Sequence, residues 1–452
     1  MVEGKNLVAS KDPGLQRPPS PSQKESLGGS FFWLSAFFVV YCARPEDWIP
    51  GLSYIPLAKL TGLFGVLGLA MSLGKSKRGF RDVPLEGRLL ITLSCLLIAA
   101  SIFSPVWRGG AFFSALDFAK VMLVWLLIFF VVTSVERLRR IIFIQTISVA
   151  VVAIISVAKG HSAPRLEGVL GGIYSNSNDL AFAIVMALPF ALMFLLEGRG
   201  LLRKVGWSFF LLAMVTALFL TASRAGFIQL VLAGAVCLWY FGFKGKRPQL
   251  IVATFLVMAV LLGVAGGKIK DRFFAITGDI NSGLDQAAYG SFYERRELMG
   301  RSFDGMLRYP IFGVGVNNFT SYSGLWKEVH NSYLQMGTEG GVFALTLYLL
   351  FFGCGFRGLK RLKKRPGLPP DVVLLIGALH GSLVGFVVGA MFAPEAYQFF
   401  PYFVVAYVST LAQILREGDA QPATVNQPST KARKNLEVYA NYGRSGTVMP
   451  VR

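Results

Sequence analysis

Charged residues are scarce in this 452-residue chain. Asp, Glu, Lys and Arg together make up 15% of it and hydrophobic residues 54%, whereas an ordinary soluble domain is roughly 25% charged. This balance excludes a typical soluble globular protein. About a dozen apolar stretches are long enough to cross ~30 Å of hydrocarbon as helices. The sequence therefore predicts one all-α, polytopic membrane domain with about 12 transmembrane helices.

Residues that build metal sites and disulfide frameworks are also rare. The histidines are His161, His330 and His380, which are too few and too scattered for a convincing metal site. The four cysteines lie in or beside apolar stretches without CxxC spacing, so neither a disulfide framework nor a cysteine metal site is indicated. We expect no metal and no cofactor.

Two nucleotide-handling motifs are missing as well. No Asp-x-Asp occurs, so the carboxylate pair that commonly holds a metal against a nucleotide-sugar diphosphate is absent. The nearest approach to a P-loop, at 68–76, has the wrong spacing. A nucleotide-sugar transferase of the soluble type and an ATPase are therefore not supported. The net charge of +20 falls in short basic clusters between apolar stretches, which indicates membrane topology and no nucleic-acid partner.

Those basic clusters predict the orientation of the chain. The predicted spans are about 28–43, 55–74, 87–104, 112–134, 138–158, 178–196, 204–222, 223–243, 249–265, 332–352, 371–392 and 397–415. When the spans alternate, about two thirds of the Lys and Arg fall on the side of the two termini, and the positive-inside rule makes that side cytoplasmic. Whether the first span crosses fully stays open, because Arg44-Pro45 interrupts it.

The segments outside the spans complete the predicted organisation. Residues 1–29 and 417–452 are polar and are predicted to be disordered cytoplasmic tails, on either side of a transmembrane domain at 30–416. The one long loop between spans, about 266–331, then lies on the outer face. We expect function to reside there, because binding residues concentrate on loops held by a rigid scaffold.

Arg224 lies at the junction of two apolar helices, within an almost unbroken apolar stretch at 205–243. A charge there is costly unless it faces protein, water or an anion. Thr221 and Ser223 supply hydroxyl groups and Gly226 permits close approach, while a guanidinium group suits bidentate contact with a phosphate. The alternative is an interfacial arginine whose side chain reaches the lipid headgroups.

The long loop contains a second group of cations. Its segment 291–309 has the pattern of an amphipathic helix at the headgroup layer, with the basic residues Arg295, Arg296, Arg301 and Arg308. Any one of these arginines is explained by contact with anionic lipid. The four together favour an anion site.

His330 lies just before the span that begins near Ser332. Imidazole, with a pKa near 6.5, is the usual side chain for taking a proton from a hydroxyl group at neutral pH. The alternative is an interfacial polar residue or a helix cap. Glu339 follows in the same span, where we expect it to be solvated or to pair with an arginine, and its role stays open.

Short motifs follow one another along the chain in a characteristic order. They are Ala43-Arg44-Pro45-Glu46-Asp47-Trp48-Ile49-Pro50, Gly171-Gly172-Ile173-Tyr174-Ser175-Asn176-Ser177-Asn178-Asp179-Leu180-Ala181, Thr221-Ala222-Ser223-Arg224, an arginine about fifteen residues before Tyr309-Pro310-Ile311-Phe312-Gly313-Val314-Gly315-Val316-Asn317-Asn318-Phe319, His330-Asn331-Ser332-Tyr333-Leu334 and Glu339-Gly340-Gly341. From about residue 40 to 410 this order and spacing resembles the bacterial O-antigen ligase and O-antigen polymerase superfamily.

The resemblance implies a GT-C-like, metal-independent glycosyltransferase of the bacterial inner membrane. Its donor is an undecaprenyl-diphosphate-linked glycan on the periplasmic face, and its acceptor is a glycan, lipid A-core or a protein. By the family's pattern Arg224 and Arg295 hold the donor diphosphate and His330 acts on the acceptor hydroxyl. Arg296, next in sequence, is the alternative to Arg295, and Arg165, in another outer loop, is a weaker candidate for the same anion.

The chemistry of such a donor agrees with these residues. A diphosphate-linked sugar already carries a good leaving group, so the enzyme needs cations for the charge on that group and a base for the incoming hydroxyl. Ligation and repeat-unit polymerisation both remain open. A secondary transporter or lipid-linked oligosaccharide flippase is the alternative of another class, although the long loop makes the two halves of the chain unequal. A structural membrane subunit is a third alternative.

Overall fold

The computed structural model describes residues 27–72, 78–159, 165–168, 172–174, 176–274 and 283–420. Within those ranges the regular structure is helical throughout. The longer helices are α1 (Gly28–Ala43), α2 (Leu57–Ser72), α3 (Leu85–Ser101), α4 (Arg108–Val131), α5 (Val135–Lys159), α6 (Ser177–Glu197), α7 (Leu201–Leu220), α8 (Arg224–Cys237, continued by a π-helical segment Leu238–Phe243), α9 (Pro248–Phe274), α10 (Gly283–Arg308), α11 (Ser332–Lys363), α12 (Pro370–Gly389) and α13 (Phe399–Ala420). Residues up to Leu411 form one unit, and a second unit begins at Ala412.

Eight helices in the described part of the chain are long and apolar enough to cross a membrane. They are α4, α5, α6, α7, α8 with its π-helical segment, α11, α12 and α13. Two complete shorter helices, α1 and α2, are also apolar, as is the first half of α9, and α3 has 17 residues. Each predicted span thus coincides with a helix. An all-helical, multi-pass membrane architecture is confirmed, and the number of 12 crossings stays a prediction.

The long loop differs from its predicted form. α9 continues to Phe274, beyond the predicted end of its span at 265. The predicted amphipathic helix at 291–309 is the second part of α10, which already begins at Gly283. Residues 1–26 and 421–452 make up most of the two predicted tails and lie outside the described residues. His161 also lies outside them.

Helix packing depends on small residues where α12 meets α8. Glycines recur on α12 at every fourth position, at 377, 381, 385 and 389. A Cβ atom added at Gly381 would lie 2.8 Å from the Cys237 Sγ atom, and one at Gly389 would lie 2.6 Å from the Gln229 side chain. Because only glycine permits this approach, the stripe brings the two backbones close, as in other membrane helix pairs.

α6 lies at the centre of this packing. Every residue from 180 to 191 is buried, as expected for a helix that is apolar all round. α6 contacts α5, α7, α8 and α12. Its first turn is therefore surrounded by the ends of other helices.

The bundle has two ends with different composition. At the end that we call the upper end, α6, α8 and α11 begin and α7 and α12 end. At the opposite, lower end, α5 and α12 begin and α6 ends. At the lower end Arg139 donates to Glu197 at 2.9 Å and to Asp371 at 3.3 Å. Also there, the buried Arg78 donates to the carbonyl oxygens of Phe129 and Val132, at the end of α4.

α11 is broken inside its span at Gly341, which has a φ of 78°. The chain after α10 inserts at this break. The Val314 amide donates to the Thr338 carbonyl at 2.8 Å, the Gly315 amide to the Glu339 carbonyl at 2.9 Å, and the Val342 amide to the Pro310 carbonyl at 2.7 Å. These bonds satisfy backbone groups that the break leaves without helical partners, and they fix the long loop onto the bundle.

Candidate functional site

The turn between α7 and α8 presents Arg224 at the upper end. Ala222 has a φ of 46°, which reverses the chain within three residues. Ser223 caps α8, because its hydroxyl oxygen accepts from the Gly226 amide at 3.1 Å. A Cβ atom at Gly226 would lie 2.8 Å from the Ala181 Cβ atom, so the turn packs tightly against α6. Arg224, the first residue of α8, is half-buried there.

Arg165 fixes this turn from the side. Its Nε atom donates to the Thr221 carbonyl oxygen at 2.9 Å, and its terminal nitrogen donates to the Asn178 Oδ1 atom at 3.0 Å. The same Asn178 oxygen accepts from the Ser223 hydroxyl at 2.9 Å. Arg165 thus lies beside the Arg224 turn, as part of its support.

α10 is held against the segment that leads to α11. Leu298, Phe319 and Val329 form a buried cluster. Around it, Lys327 forms an ion pair with Glu294, and Arg301 donates to the Ser323 carbonyl oxygen. These contacts set the position of α10 relative to the residues just before α11.

This packing brings Arg295 and His330 together. Arg295 is half-buried, whereas Arg296 is exposed. The pKa of His330 is lowered to about 4, first by desolvation and then by the positive charge of Arg295, with a smaller effect from Lys327 and an opposing one from Glu294. The imidazole is therefore neutral at pH 7. Of the two adjacent arginines, the structure places Arg295 beside the histidine.

The other arginines of α10 have different surroundings. Arg301 bonds to Glu297 at 2.7 Å as well as to the Ser323 carbonyl, and Arg308 lies over the ring of Tyr309. The four cations predicted as one group therefore separate, and Arg295 is the one that faces His330.

His330 does not cap α11. That role belongs to Asn331, whose Oδ1 atom accepts from the amides of Tyr333 and Leu334, both at 3.0 Å. The capping geometry leaves the imidazole, half-buried, outside the helix.

The loop between α12 and α13 holds the start of α11. Ser332 is its anchor: the amide donates to the Ala390 carbonyl at 2.7 Å, the hydroxyl donates to the Ala393 carbonyl at 2.7 Å, and the hydroxyl oxygen accepts from the Glu395 amide at 2.9 Å. The Asn331 side chain also donates to the Met391 carbonyl at 3.3 Å. The residues beside His330 are therefore fixed by residues 390–395.

Two carboxyl groups that the sequence analysis did not single out meet at this loop. The side chain of Glu395 is hydrogen-bonded to that of Asp179, in the first turn of α6. Burial and the negative charges of Asp179 and Glu328 raise the pKa of Glu395 well above its usual value. Glu395 could have been singled out from the sequence, because it is an acidic residue in a short loop between two apolar spans. Its contact with Asp179 could not have been predicted in the same way.

Glu339 lies deeper than expected. Its side chain is 3% exposed, and its Oε1 atom accepts from the Phe319 amide at 3.2 Å. The expectation of a solvated carboxylate, or one paired with an arginine, is wrong, because the inserted loop covers this part of α11 and supplies a backbone donor.

The fold and the site together define a multi-pass membrane protein with arginines, an imidazole and carboxyl groups at one end of its bundle. Residues 209–349 match the family model described as O-antigen ligase. The matched part includes Arg224, Arg295 and His330, but neither Asp179 nor Glu395. Over this part of the chain the match confirms the resemblance to the O-antigen ligase and polymerase superfamily. A search among curated proteins finds no significant match.

Proposed function

We propose that this protein transfers a glycan from an undecaprenyl-diphosphate-linked donor to an acceptor hydroxyl on the periplasmic face of the bacterial inner membrane. The observation that carries the proposal is the placement of Arg295 beside a neutral His330 at the same end of the bundle as Arg224. The O-antigen ligase match over these residues supports the donor class. The basic loops at the lower end of the bundle support a cytoplasmic position for that end, and so a periplasmic position for the site.

The residues have complementary roles in the reaction. His330 accepts the proton of the acceptor hydroxyl as its oxygen forms a bond to the anomeric carbon of the donor sugar. The bond from that carbon to the phosphate oxygen breaks, and undecaprenyl diphosphate leaves with the electron pair. Arg224 and Arg295 stabilise the charge that develops on the diphosphate, and such fixed donors contribute most where charge forms in the transition state.

Donor binding would also tune the base. In the free protein the charge of Arg295 helps to depress the pKa of His330. A bound diphosphate brings negative charge to Arg295 and offsets its effect, because an anion near an imidazole favours the protonated form. We therefore expect His330 to become a stronger base only when the donor is present.

The arginines take the place that a divalent cation has in many enzymes that use diphosphate-linked sugars. Among the described residues no group of three or more His, Cys, Asp or Glu side chains is arranged to hold a metal ion. We propose a metal-independent reaction, tested by measuring transfer with and without a strong chelator. A rate that is lost with the chelator and restored by added Mg²⁺ or Mn²⁺ would contradict this part of the proposal.

The function is tested with the purified full-length protein in vesicles that carry undecaprenyl-diphosphate-linked glycan. Transfer of glycan to added acceptor, with release of undecaprenyl diphosphate, is the expected result. Donor placed only in the leaflet facing the site distinguishes transfer from flipping: a protein that moves the donor between leaflets but never joins it to an acceptor is a flippase, and the proposal fails.

The acceptor is tested in cells. In a deletion strain, loss of a ligase leaves undecaprenyl-linked polymer without attachment to lipid A-core or protein, whereas loss of a polymerase leaves single repeat units. We expect the former, because the matched family is described as O-antigen ligase. Accumulated single units would assign the same site to polymerisation.

A further inference from the structure

The carboxyl pair of Asp179 and Glu395 joins two parts of the upper end that lie far apart in sequence. Asp179 is in the first turn of α6, and Glu395 is in the loop between α12 and α13. Two ionised carboxylates cannot share a hydrogen bond, so one of the two groups carries the proton. Glu395 is 5% exposed, and Asp179 also accepts from the Asn176 side chain. Glu395 is therefore the donor and Asp179 the ionised acceptor.

Each partner is bonded to a different half of the candidate site. On one side, Asn178, next to Asp179, accepts from Ser223 and Arg165 and so holds the turn that presents Arg224. On the other side, the Glu395 amide donates to Ser332 at 2.9 Å, in the first turn of α11 just after His330. The carboxyl pair thus links two hydrogen-bonded groups: the Arg224 turn, held by Asn178 beside Asp179, and the start of α11, held by the backbone amide of Glu395.

We propose that Asp179 and Glu395 are positioning residues whose shared proton holds the Arg224 turn and the His330 segment at the spacing that glycan transfer requires. The proposal rests on the proposed function. When the proton is lost, two negative charges face each other in a buried place, and the loop at 390–395 separates from α6. His330 then moves relative to the bound diphosphate, and a displacement of about 1 Å can cost ~10²-fold in rate.

The surroundings of the pair make it sensitive to alkaline pH. The acids that the described residues place near it are Glu328, Tyr41 and Tyr348, and the cation Arg165 is bonded to Asn178, next to Asp179. Glu328 lies in the segment just before α11, and desolvation raises its pKa. The negative charge of Glu328 favours protonation of Glu395. The hydrogen bond between Glu395 and Asp179 therefore persists at neutral pH and is lost as the pH rises.

The test compares alanine and amide variants of the full-length protein in the vesicle assay. Glu395→Ala and Asp179→Ala should lower the transfer rate by about 10²-fold at pH 7. Glu395→Gln keeps a donor for Asp179 and carries no titratable proton, so it should restore most of the rate. It should also remove the fall in rate that the wild type shows at alkaline pH. Asp304→Asn, on the exposed face of α10, is the matched control and should keep the wild-type profile.

The outcomes separate this inference from the proposed function. A wild-type protein without transfer activity would overturn the function. A wild type that transfers glycan, with Glu395→Ala as active as the control or Glu395→Gln showing the same alkaline limb as the wild type, would overturn the positioning role alone. A Glu395→Gln rate as low as that of Glu395→Ala would also overturn it, because the amide keeps the hydrogen bond.

A second measurement does not depend on activity. A buried protonated carboxyl group has a carbonyl band in the infrared spectrum that disappears on ionisation. The difference spectrum between wild type and Glu395→Gln should contain this band at pH 7 and lose it at alkaline pH, because other buried carboxyl groups such as Glu339 cancel in the difference. A band unchanged by Glu395→Gln would show that the proton lies elsewhere.

Discussion

The two ends of the helix bundle differ in how they hold their charged groups. At the lower end unlike charges meet, since Arg139 donates to the carboxylates of Glu197 and Asp371. The upper end also has ion pairs, such as Lys327 with Glu294, but groups of like character meet there as well. Glu395 is bonded to another carboxyl group, and the charge of Arg295 acts on the imidazole of His330.

The difference indicates which end is built for stability and which for chemistry. An ion pair lowers the free energy of both partners, and it needs no other purpose. A buried carboxyl pair is stable only while it shares a proton, and a cation beside an imidazole disfavours the protonated imidazole, so both arrangements depend on the surrounding packing. Such arrangements shift pKa values towards the needs of a reaction and are typical of functional sites.

The largest expected effect follows from His330. His330→Ala should lower the rate of the chemical step by roughly 10² to 10⁴-fold, the usual contribution of general acid-base catalysis, while donor binding stays nearly intact. Single-turnover kinetics with bound donor separates the two. A well-folded variant with the wild-type rate would remove His330 from the mechanism.

Arg224 comes next. Arg224→Lys keeps the charge but loses the two-pronged geometry that a diphosphate favours, and we expect a loss of roughly 10² to 10³-fold with normal membrane insertion. Arg203→Lys, at the other end of α7, is the matched control because that side chain is exposed at the lower end. Near-normal turnover of Arg224→Lys would reduce Arg224 to a generic cation.

Adjacent arginines on α10 provide a sharper comparison. Arg295→Gln should lower the transfer rate by roughly tenfold or more, because one charged contact to the diphosphate is lost, whereas Arg296→Gln should have little effect. The same pair has a second readout. Removing the cation beside His330 should raise the pKa of the imidazole, so the acid limb of the kcat/KM profile moves to higher pH in Arg295→Gln alone. Equal profiles for both variants would contradict the assignment of Arg295.

At the lower end the prediction concerns stability. Arg139→Gln leaves two carboxylates without their cation, and breaking a partly buried pair costs up to about 3 kcal/mol, which thermal unfolding in detergent would detect. The rate of transfer per folded molecule should be unchanged. A large loss of that rate would mean that the ion pairs of the lower end affect the site at the upper end. The division into an end for stability and an end for chemistry would then be wrong.

The smallest expected effect is the response of the wild type to mild acid. Because the pKa of His330 is about 4 in the free protein, the base stays neutral as the pH falls from 7 to 5.5, and kcat/KM should hardly change. With donor bound, the pKa rises, so the acid limb of kcat should lie at higher pH than that of kcat/KM. A kcat/KM limb near pH 6.5 would indicate an imidazole in an ordinary, solvated setting.

Sequence patterns were informative where the deciding interactions are local. The predicted spans agree with the helices to within a few residues in most cases, and the junction at Thr221–Arg224 is where α7 ends and α8 begins. Glu339 shows the limit of such patterns. Its position in the span predicted a side chain that is solvated or paired with an arginine, but residues 310–319 insert at the Gly341 break and bury it.

What the sequence by itself determined about this protein is its set of helices and the residue types at their upper ends. Apolar length and local caps such as Ser223 and Asn331 act within one segment, and each is encoded in about twenty consecutive residues. Only the tertiary structure decided that Arg295 rather than Arg296 faces His330, and that Glu395 meets Asp179. Those contacts depend on how separate helices and loops pack, and a one-residue rotation of α10 would exchange the two arginines without changing any local pattern.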